Sequence, residues 1–434
     1  MPSTPSALQR PSIVLALLSA TYAINYVDRQ ILSVVLEPLR LEFGLSDAML
    51  GLLAGPAFAL FYATMGVPIA IMADRYSRIR IITLSLACFS IATAACGWVT
   101  YFWQLLLARV LTGVGEAGTG PASQSIITDL FPPDRRGRAQ AIYAVGVNIG
   151  LMVAFVGGGW IVHHHGWRAG FLVAGIPGIL LALLMAATVQ EPPRQCEVET
   201  AAAPSMRETL AYLRSQRSYC WIVLASGLSA FSGYGVTTFV PAFLMRSHGL
   251  DVQQVGLVLA LIVGIGGGAA TFASGLLVDR LRRRSPRWYV GVPILGALAS
   301  LPFWPVFLLA GDPRVAIVAA IAPLSLSATY IGPCIAAMQA LVPPRMRARA
   351  AATQLFLGNL IGLGLGPQII GLVSDWLAPF VGRDSLRYAL LAGVCASMLA
   401  IFSYWRASLS IAADMARLGE ARAPESASTL RPAS

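Results

Sequence analysis

Twelve apolar stretches, each close to the length an α-helix needs to span hydrocarbon, follow one another along this chain with short polar connections. A helix rises about 1.5 Å per residue, so about 20 apolar residues cross a core ~30 Å thick. The stretches fall at roughly 13–36, 49–71, 79–99, 103–130, 138–162, 168–189, 219–245, 253–277, 288–310, 313–342, 349–373 and 386–408. Composition agrees: 56% of the residues are hydrophobic and only 12% charged, against about 25% charged in a soluble domain. The expected fold class is therefore an all-α membrane protein with twelve transmembrane helices.

The chain carries a formal charge of +11, and every one of its 31 basic residues is arginine. A basic chain can be a nucleic-acid binder, but these arginines cluster between apolar segments, as topology signals do, so no nucleic-acid partner is expected. With the N-terminus in the cytoplasm, 23 arginines fall on the cytoplasmic side, six (40, 168, 246, 314, 383 and 387) outside, and Arg29 and Arg109 within the membrane. The opposite orientation would violate the positive-inside rule. Both termini are expected in the cytoplasm. Arginine without lysine, beside 41 glycines, suggests a GC-rich bacterial genome and hence a bacterial inner (plasma) membrane.

Six cysteines at 88, 96, 196, 220, 334 and 395 show no CxxC spacing and sit mostly in apolar segments, so neither a disulfide framework nor a metal site is indicated. His163, His164 and His165 point in different directions near a helix end and share no ligand face. The first apolar segment contains Asn25, Asp28 and Arg29, too polar for a cleaved signal, and the chain is expected to be retained whole.

The segments group as six plus six. The expected organisation is a six-helix bundle over 1–190, a cytoplasmic loop over 191–217, a second bundle over 218–410 and a disordered cytoplasmic tail over 411–434. The halves repeat each other. "FPPDRRGRAQA" after segment 4 returns as "VPPRMRARAAA" after segment 10, with Pro132/Pro343, Arg136/Arg347 and Arg138/Arg349 all 211 residues apart. Asn148 and Asn359 share that offset, and "ADRYSRIR" returns as "VDRLRRR". A parallel repeat of six helices is the architecture of many secondary transporters.

These motifs identify a resemblance. Over nearly its full length the chain is similar to major facilitator superfamily transporters, whose signature between helices 2 and 3 resembles the "ADRYSR" loop, with Ala70 and Ser77 where glycines usually stand. "NYVDRQILSVVLEPLRLEFGLSD", "ARVLTGVGEAG", "DLFPPDRRGRA" and "GWRAGF" resemble the spinster-type branch, whose eukaryotic members move lysolipids and sphingosine phosphate. "NYxDR" openings also occur in organic-anion symporters of the superfamily. The resemblance implies two pseudo-symmetric six-helix halves around a central cavity. It also implies that Asp74, Arg75, Arg78, Asp279 and Arg280 latch the cytoplasmic gate in the outward-facing state; solvation and topology are the plainer reading of the same residues.

Intramembrane charges carry the chemistry. Arg109 and Glu116 are seven residues apart on one helix and so share a face. An intramembrane charge costs at least about 2.5–3.5 kcal/mol, so it should face a cavity or a partner. Counted from the outer ends, Arg109 lies about 9 Å deep, Asp28 about 12 Å and Glu116 about 20 Å. Asp28 and Glu116 are thus expected to share Arg109, leaving one carboxylate able to titrate near neutrality. A static bridge between helices 1 and 4, or direct anchoring of substrate by Arg109, are the alternatives. Asn25 lies on nearly the same face as Asp28. Asn148, Asn359, Tyr22, Tyr234 and Tyr330 are further cavity candidates, each equally readable as helix-interface packing.

The leading expectation is a monomeric, proton-coupled secondary transporter of a small amphiphilic or lipid-like substrate, driven by the proton gradient without a cofactor. Symport of small organic anions on Arg109 is the alternative, since an anionic substrate would suit that arginine. A membrane enzyme would need a catalytic histidine, a Ser–His pair or a metal cluster at membrane depth. All four histidines (163, 164, 165 and 248) fall at outer edges instead.

Overall fold

The computed structural model describes residues 10–194 and 205–428, and all the regular structure among them is helical. Nine stretches of the described residues are long and apolar enough to cross a membrane. One of these, Pro133–Thr188, is 56 residues long and doubles back at Gly166, where φ is 79° and ψ 170°. A side chain at that φ would be strained, and glycine is what permits the reversal. The turn is visible in the packing: Val162 lies against Gly170, eight residues on, where a straight helix would separate them by about 12 Å. The nine stretches, with this one counted twice, and two further helices at Pro11–Phe43 and Phe102–Leu130, make twelve crossings.

Numbered along the chain, helix 1 is Pro11–Phe43, helix 2 Asp47–Ala54 with Pro56–Arg75, and helix 3 Arg78–Ala95. Helix 4 is Phe102–Glu116 with Thr119–Leu130; helix 5 is Pro133–Met152 continued through a π-helical turn Val153–Gly158 to Gly166; and helix 6 is 167–188. In the second half helix 7 is Arg217–His248, helix 8 spans Val252–Leu281 through the π-helical Ala260–Gly266, and helix 9 is Trp288–Ser300 with Phe303–Leu309. Helix 10 is Pro313–Leu326 with Ile331–Ala340, helix 11 spans Arg347–Val381 through the π-helical Asn359–Leu365, and helix 12 is Leu391–Ser428.

The outer surface is apolar, as a lipid-facing surface must be: Leu84, Phe272, Trp376 and Phe380 are each at least 66% exposed. Lipid tails are as apolar as leucine, so helix association has to come from close backbone approach and polar contacts. Helix 2 shows this at Gly55, where the helix breaks (φ −104°, ψ −98°) and restarts at Pro56. A Cβ on Gly55 would stand 2.4 Å from the Gly364 carbonyl of helix 11, so no larger residue fits.

With twelve crossings Arg10 and Ser428, the first and last described residues, lie toward one face, termed the terminal face; the other is the distal face. The halves meet in the distal part of the molecule. Helix 2 lies along helix 11, where Gly51 abuts the Pro367 carbonyl, and helix 5 along helix 8, where Gly256 abuts the Phe155 carbonyl. Toward the terminal face helix 2 instead exposes Val67, Ile71 and Met72, and helix 11 exposes Leu355. The molecule is closed distally and opens toward its termini.

Two expectations are corrected. The segment 191–217 is not only loop: Met206–Ser215 forms a helix, opened by a reciprocal Ser205–Glu208 cap and docked on the second half by the Tyr212 hydroxyl, which donates to the Leu341 carbonyl at 3.2 Å. The segment 411–434 is not a disordered tail up to Ser428, because helix 12 continues to that residue. Its first turn beyond residue 411 is anchored by Asp414, buried and accepting from the Ser218 N–H at 3.0 Å and its hydroxyl at 2.5 Å, a carboxylate seated at the N-terminus of helix 7. Residues 195–204 and 429–434 of these two segments lie outside the described residues.

Candidate functional site: paired charges beside a midplane cavity

Four charged side chains meet in the middle of the first half, and they form two pairs. Arg109 of helix 4 donates to Asp28 Oδ2 of helix 1 at 3.1 Å. Arg29, next to Asp28, turns instead to Glu116, with Nη2 2.5 Å from Oε1. Asp28, Arg109 and Glu116 are each no more than 2% exposed. The shared-arginine arrangement expected from the sequence is therefore corrected: Glu116 has its own cation, and the core holds two arginines against two carboxylates. Adjacent residues on helix 1 point about 100° apart, which lets Asp28 and Arg29 serve different partners.

The two carboxylates differ in how completely they are held. Asp28 accepts from Arg109 on one oxygen and from the Thr93 hydroxyl of helix 3 on the other. Glu116 Oε2 is buried without a hydrogen-bond partner among the described residues. Sequence reasoning missed both Arg29 and Thr93. In the sequence Arg29 reads only as one of two membrane arginines, with no partner indicated, and a lone threonine in an apolar helix carries no signal.

Aromatic rings enclose the arginines. The Arg29 guanidinium carbon lies 5.4 Å from the Tyr26 ring centre, 5.1 Å from that of Phe58 and 4.9 Å from that of Tyr62. Arg109 lies 5.3 Å from the same Phe58 ring. These are within cation–π range.

Next to the pairs is a cavity of about 160 Å³ at the depth of the helix midpoints, between the halves. Tyr26 and Gln30 of helix 1, Asn148 of helix 5, Tyr234 and Thr238 of helix 7 and Tyr330 at the break in helix 10 supply polar lining; Leu151, Val263 and Leu324 supply apolar lining. A smaller chamber of about 20 Å³ joins Arg29 and Arg109 to Tyr234, Thr238 and Leu363. Gln30, Tyr234 and Thr238 line both spaces.

Of the cavity candidates, Asn148, Tyr234 and Tyr330 line the larger space. Asn25 is buried and donates to the Thr119 hydroxyl at 2.7 Å, tying helix 1 to the restart of helix 4. Tyr22 stacks on Tyr143 at 4.5 Å, an interface contact between helices 1 and 5. Asn359 opens the π-helical turn of helix 11 and is not among the cavity-lining residues.

The loop residues separate as well. Arg78 is buried, bonded to Asp129, to Ser125 at 2.9 Å, to Glu191 at 2.7 Å and to the Pro192 carbonyl at 3.0 Å. It clamps helices 3, 4 and 6 of one half. Burial works against the Glu191 charge, but the hydrogen bonds from Arg78, the Ile79 N–H and the Ser77 hydroxyl outweigh it and hold that carboxyl below the ordinary 4.5. Arg75 and Arg280 are exposed, and Asp279 pairs with Arg282 at 3.1 Å on its own helix end. The Asp74 side chain lies outside the described side chains.

A second charge cluster joins the halves at the distal face. Arg246, near the end of helix 7, reaches Glu37 of helix 1 at 2.5 Å and both oxygens of Asp47, the first residue of helix 2, at 2.8 and 2.9 Å. Ser374 of helix 11 donates to Asp47 at 2.6 Å, and Asp375 accepts from the N–H groups of Asp47 and Ala48 at 2.9 Å each. In the sequence Arg246 reads only as one of the six arginines outside, a topology marker. Among the described residues no cluster of three or more His, Cys, Asp or Glu could hold a metal ion.

Comparison with known proteins assigns the arrangement to a family. Residues 18–367 match the Major Facilitator Superfamily. An "MFS-type efflux pump" of Mycolicibacterium smegmatis is 32% identical over 94% of this chain and 95% of its own. "Protein spinster homolog 1" of Mus musculus is 28% identical over 88% of this chain and 77% of its own. The crystal structure of a bacterial homolog of the human lysosomal transporter Spinster, inward-facing and unoccupied, superposes with a TM-score of 0.85 at 31% identity, covering 93% of this chain and 98% of that one. The D-xylose-proton symporter, at 17% identity over 92% of this chain and 96% of its own and a TM-score of 0.72, shares the fold. From its twelve helices and these relatives, the chain belongs to the Major Facilitator Superfamily and is a transporter of its spinster type.

Proposed function

We propose that this protein is a proton-coupled secondary transporter that moves a small amphiphilic or lipid-like substrate by alternating access. The observation that carries the reading is the unequal pairing in the core: Glu116 is bound to Arg29 through one oxygen while its second oxygen is buried without a hydrogen-bond partner among the described residues. A carboxylate in that position can take a proton and release its arginine to the chamber beside it. The freed guanidinium, next to a cavity with hydroxyl, amide and aliphatic lining, suits a substrate with a polar or anionic head and an apolar body. The energy source in this reading is the proton gradient, with no cofactor.

Alternating access requires the distal cluster around Arg246 to open as the terminal side closes. Asp74 and Arg75 at the terminal end of helix 2, with Asp279 and Arg280 at the terminal end of helix 8, are the residues assigned to the opposite latch. The protein works as a monomer in a bacterial inner membrane with its terminal face in the cytoplasm, as the arginine distribution supports.

Uptake into proteoliposomes tests the reading. Labelled lysophospholipid should accumulate when a pH gradient is imposed and not when it is collapsed, while small organic anions should not. Accumulation of an organic anion in place of the lysolipid would replace the substrate class. Accumulation indifferent to the gradient would remove proton coupling.

A further inference from the structure

Phe58 touches both ion pairs and the other half of the molecule. Its ring is 1% exposed and lies 5.1 Å from the guanidinium carbon of Arg29 and 5.3 Å from that of Arg109. It is the ring shared by the two cations, since Tyr26 and Tyr62 approach Arg29 alone. Tyr62, one turn further along helix 2, stacks on it at 5.5 Å with an interplanar angle of 15°.

The same ring belongs to a small buried cluster with Ala59 and Leu363, joined by Tyr62 and Tyr234. Leu363 is in the π-helical turn of helix 11 and Tyr234 in helix 7, both in the second half. Phe58 stands three residues after Gly55, where helix 2 breaks and its backbone meets that of helix 11. On its other side helix 4 packs directly on the Phe58 backbone, with Gly113 against the Phe58 carbonyl. Gly113 lies one turn after Arg109 and three residues before Glu116. The charged helices, the break in helix 2 and the contact with helix 11 therefore meet at one side chain.

We propose that Phe58 is the positioning residue that transmits the state of the two ion pairs to the contact between helices 2 and 11. A cation prefers the face of a ring. When Arg29 leaves or regains Glu116, the ring that contacts both guanidiniums has to follow, and it carries Leu363 with it. π-helical turns are local irregularities that often mark functional sites, and the turn at Asn359–Leu365 is where helix 11 meets the ring. The ionisable groups around the ring are Tyr26, Asp28 and Arg29 of helix 1, Tyr62 of helix 2, Cys96 after helix 3, Arg109 and Glu116 of helix 4, and Tyr234 of helix 7. All of them remain in the variants below.

The inference rests on the proton-coupled reading, and the test separates the two. Spin labels on the distal ends of helices 2 and 11 report the separation of the halves as pH is varied, and binding of a lysophospholipid is measured on the same samples. In the wild type both should depend on pH. Phe58→Leu keeps an apolar side chain against Leu363 but removes the ring face; its lysophospholipid binding should still vary with pH, with a shifted midpoint, while the distance change with pH falls at least about fivefold. Phe58→Trp should restore the distance response. Phe58→Met serves as the second ring-free variant should the leucine protein not fold. A ring-free variant with a wild-type distance response overturns the inference and leaves the transport reading standing. A wild type whose distances and binding ignore pH overturns both.

Discussion

Arg29 lies 2.5 Å from Glu116, and this contact leaves Arg109 to Asp28 alone. The core is thereby balanced, two cations against two anions, in place of two anions on one cation. Breaking a buried pair from one side strands a charge and costs about 3–5 kcal/mol, whereas removing both partners can be nearly neutral. Arg29→Met alone should therefore lower the melting temperature of the purified protein by several degrees. Arg29→Met with Glu116→Gln should recover most of that loss and still fail to transport against a gradient. A double variant no more stable than the single would show that the two residues do not act as a pair.

The positions of the helices were legible in the sequence because hydrophobicity alone sets them. The twelve apolar stretches and the twelve observed crossings agree to within several residues at most ends, and the repeat found at an offset of 211 is the internal symmetry of the two halves. Pairing was less legible. Arg109, Asp28 and Glu116 were found from the cost of a charge in hydrocarbon, but which carboxylate meets which arginine depends on the rotation of helix 1, and a sequence does not carry that angle. Arg78 illustrates a second limit: its position in a basic loop reads as a surface topology signal, yet Asp129 and Glu191, distant in sequence, converge to bury it. The terminal extension of helix 12 was missed because its polar composition resembles a tail, and the anchoring contact of Asp414 with Ser218 spans 196 residues.

The distal cluster should hold the closed state. Arg246 carries hydrogen bonds to two carboxylates of the other half, and bonds to charged groups contribute about 1.5–3 kcal/mol each. Arg246→Ala should shift the equilibrium toward distally open molecules by about tenfold or more, since about 1.4 kcal/mol is a factor of ten. Distances between spin labels on the distal ends of helices 1 and 7 measure it. An unchanged distribution would assign closure to the remaining contacts of helix 2 with helix 11 and of helix 5 with helix 8.

The clamp on Arg78 should weaken in acid. The Glu191 carboxyl is held below its ordinary 4.5 in the folded protein, so its contribution is fully present above about that pH and is lost as pH falls through the lowered folded value. Glu191→Gln should melt a few degrees below the wild type at neutral pH. The difference should close as both are titrated below 4.5. A gap that stays constant on acidification would mean that the carboxylate charge is not what holds the clamp.

Orientation follows from labelling. Ser205, before the connecting helix, and Ser46, before helix 2, are both exposed and lie on opposite faces. In intact cells of a strain expressing cysteine variants, an impermeant thiol reagent should modify Ser46→Cys and spare Ser205→Cys until the membrane is breached. The reverse pattern would invert the assignment of the terminal face to the cytoplasm.

The two carboxylates should fail in different ways. Both oxygens of Asp28 are engaged, by Arg109 and by Thr93, which ties helices 1, 3 and 4 together. Glu116 engages one oxygen and leaves the other buried without a partner among the described residues. Asp28 is thus built as a structural anchor and Glu116 as the group that exchanges a proton. Asp28→Asn weakens a bond to a guanidinium while keeping the shape, and it should cost stability first, with a lower melting temperature and surviving protein that still responds to pH. Glu116→Gln mimics the protonated form; it leaves Arg29 without its carboxylate and so also lowers the melting temperature, but the folded protein should bind substrate and lose the pH dependence of binding. Melting temperature and pH-dependent binding measured on both variants separate the roles. If Asp28→Asn abolishes the pH response while Glu116→Gln keeps it, the proton belongs to helix 1, and the unpartnered oxygen of Glu116 has no part in coupling.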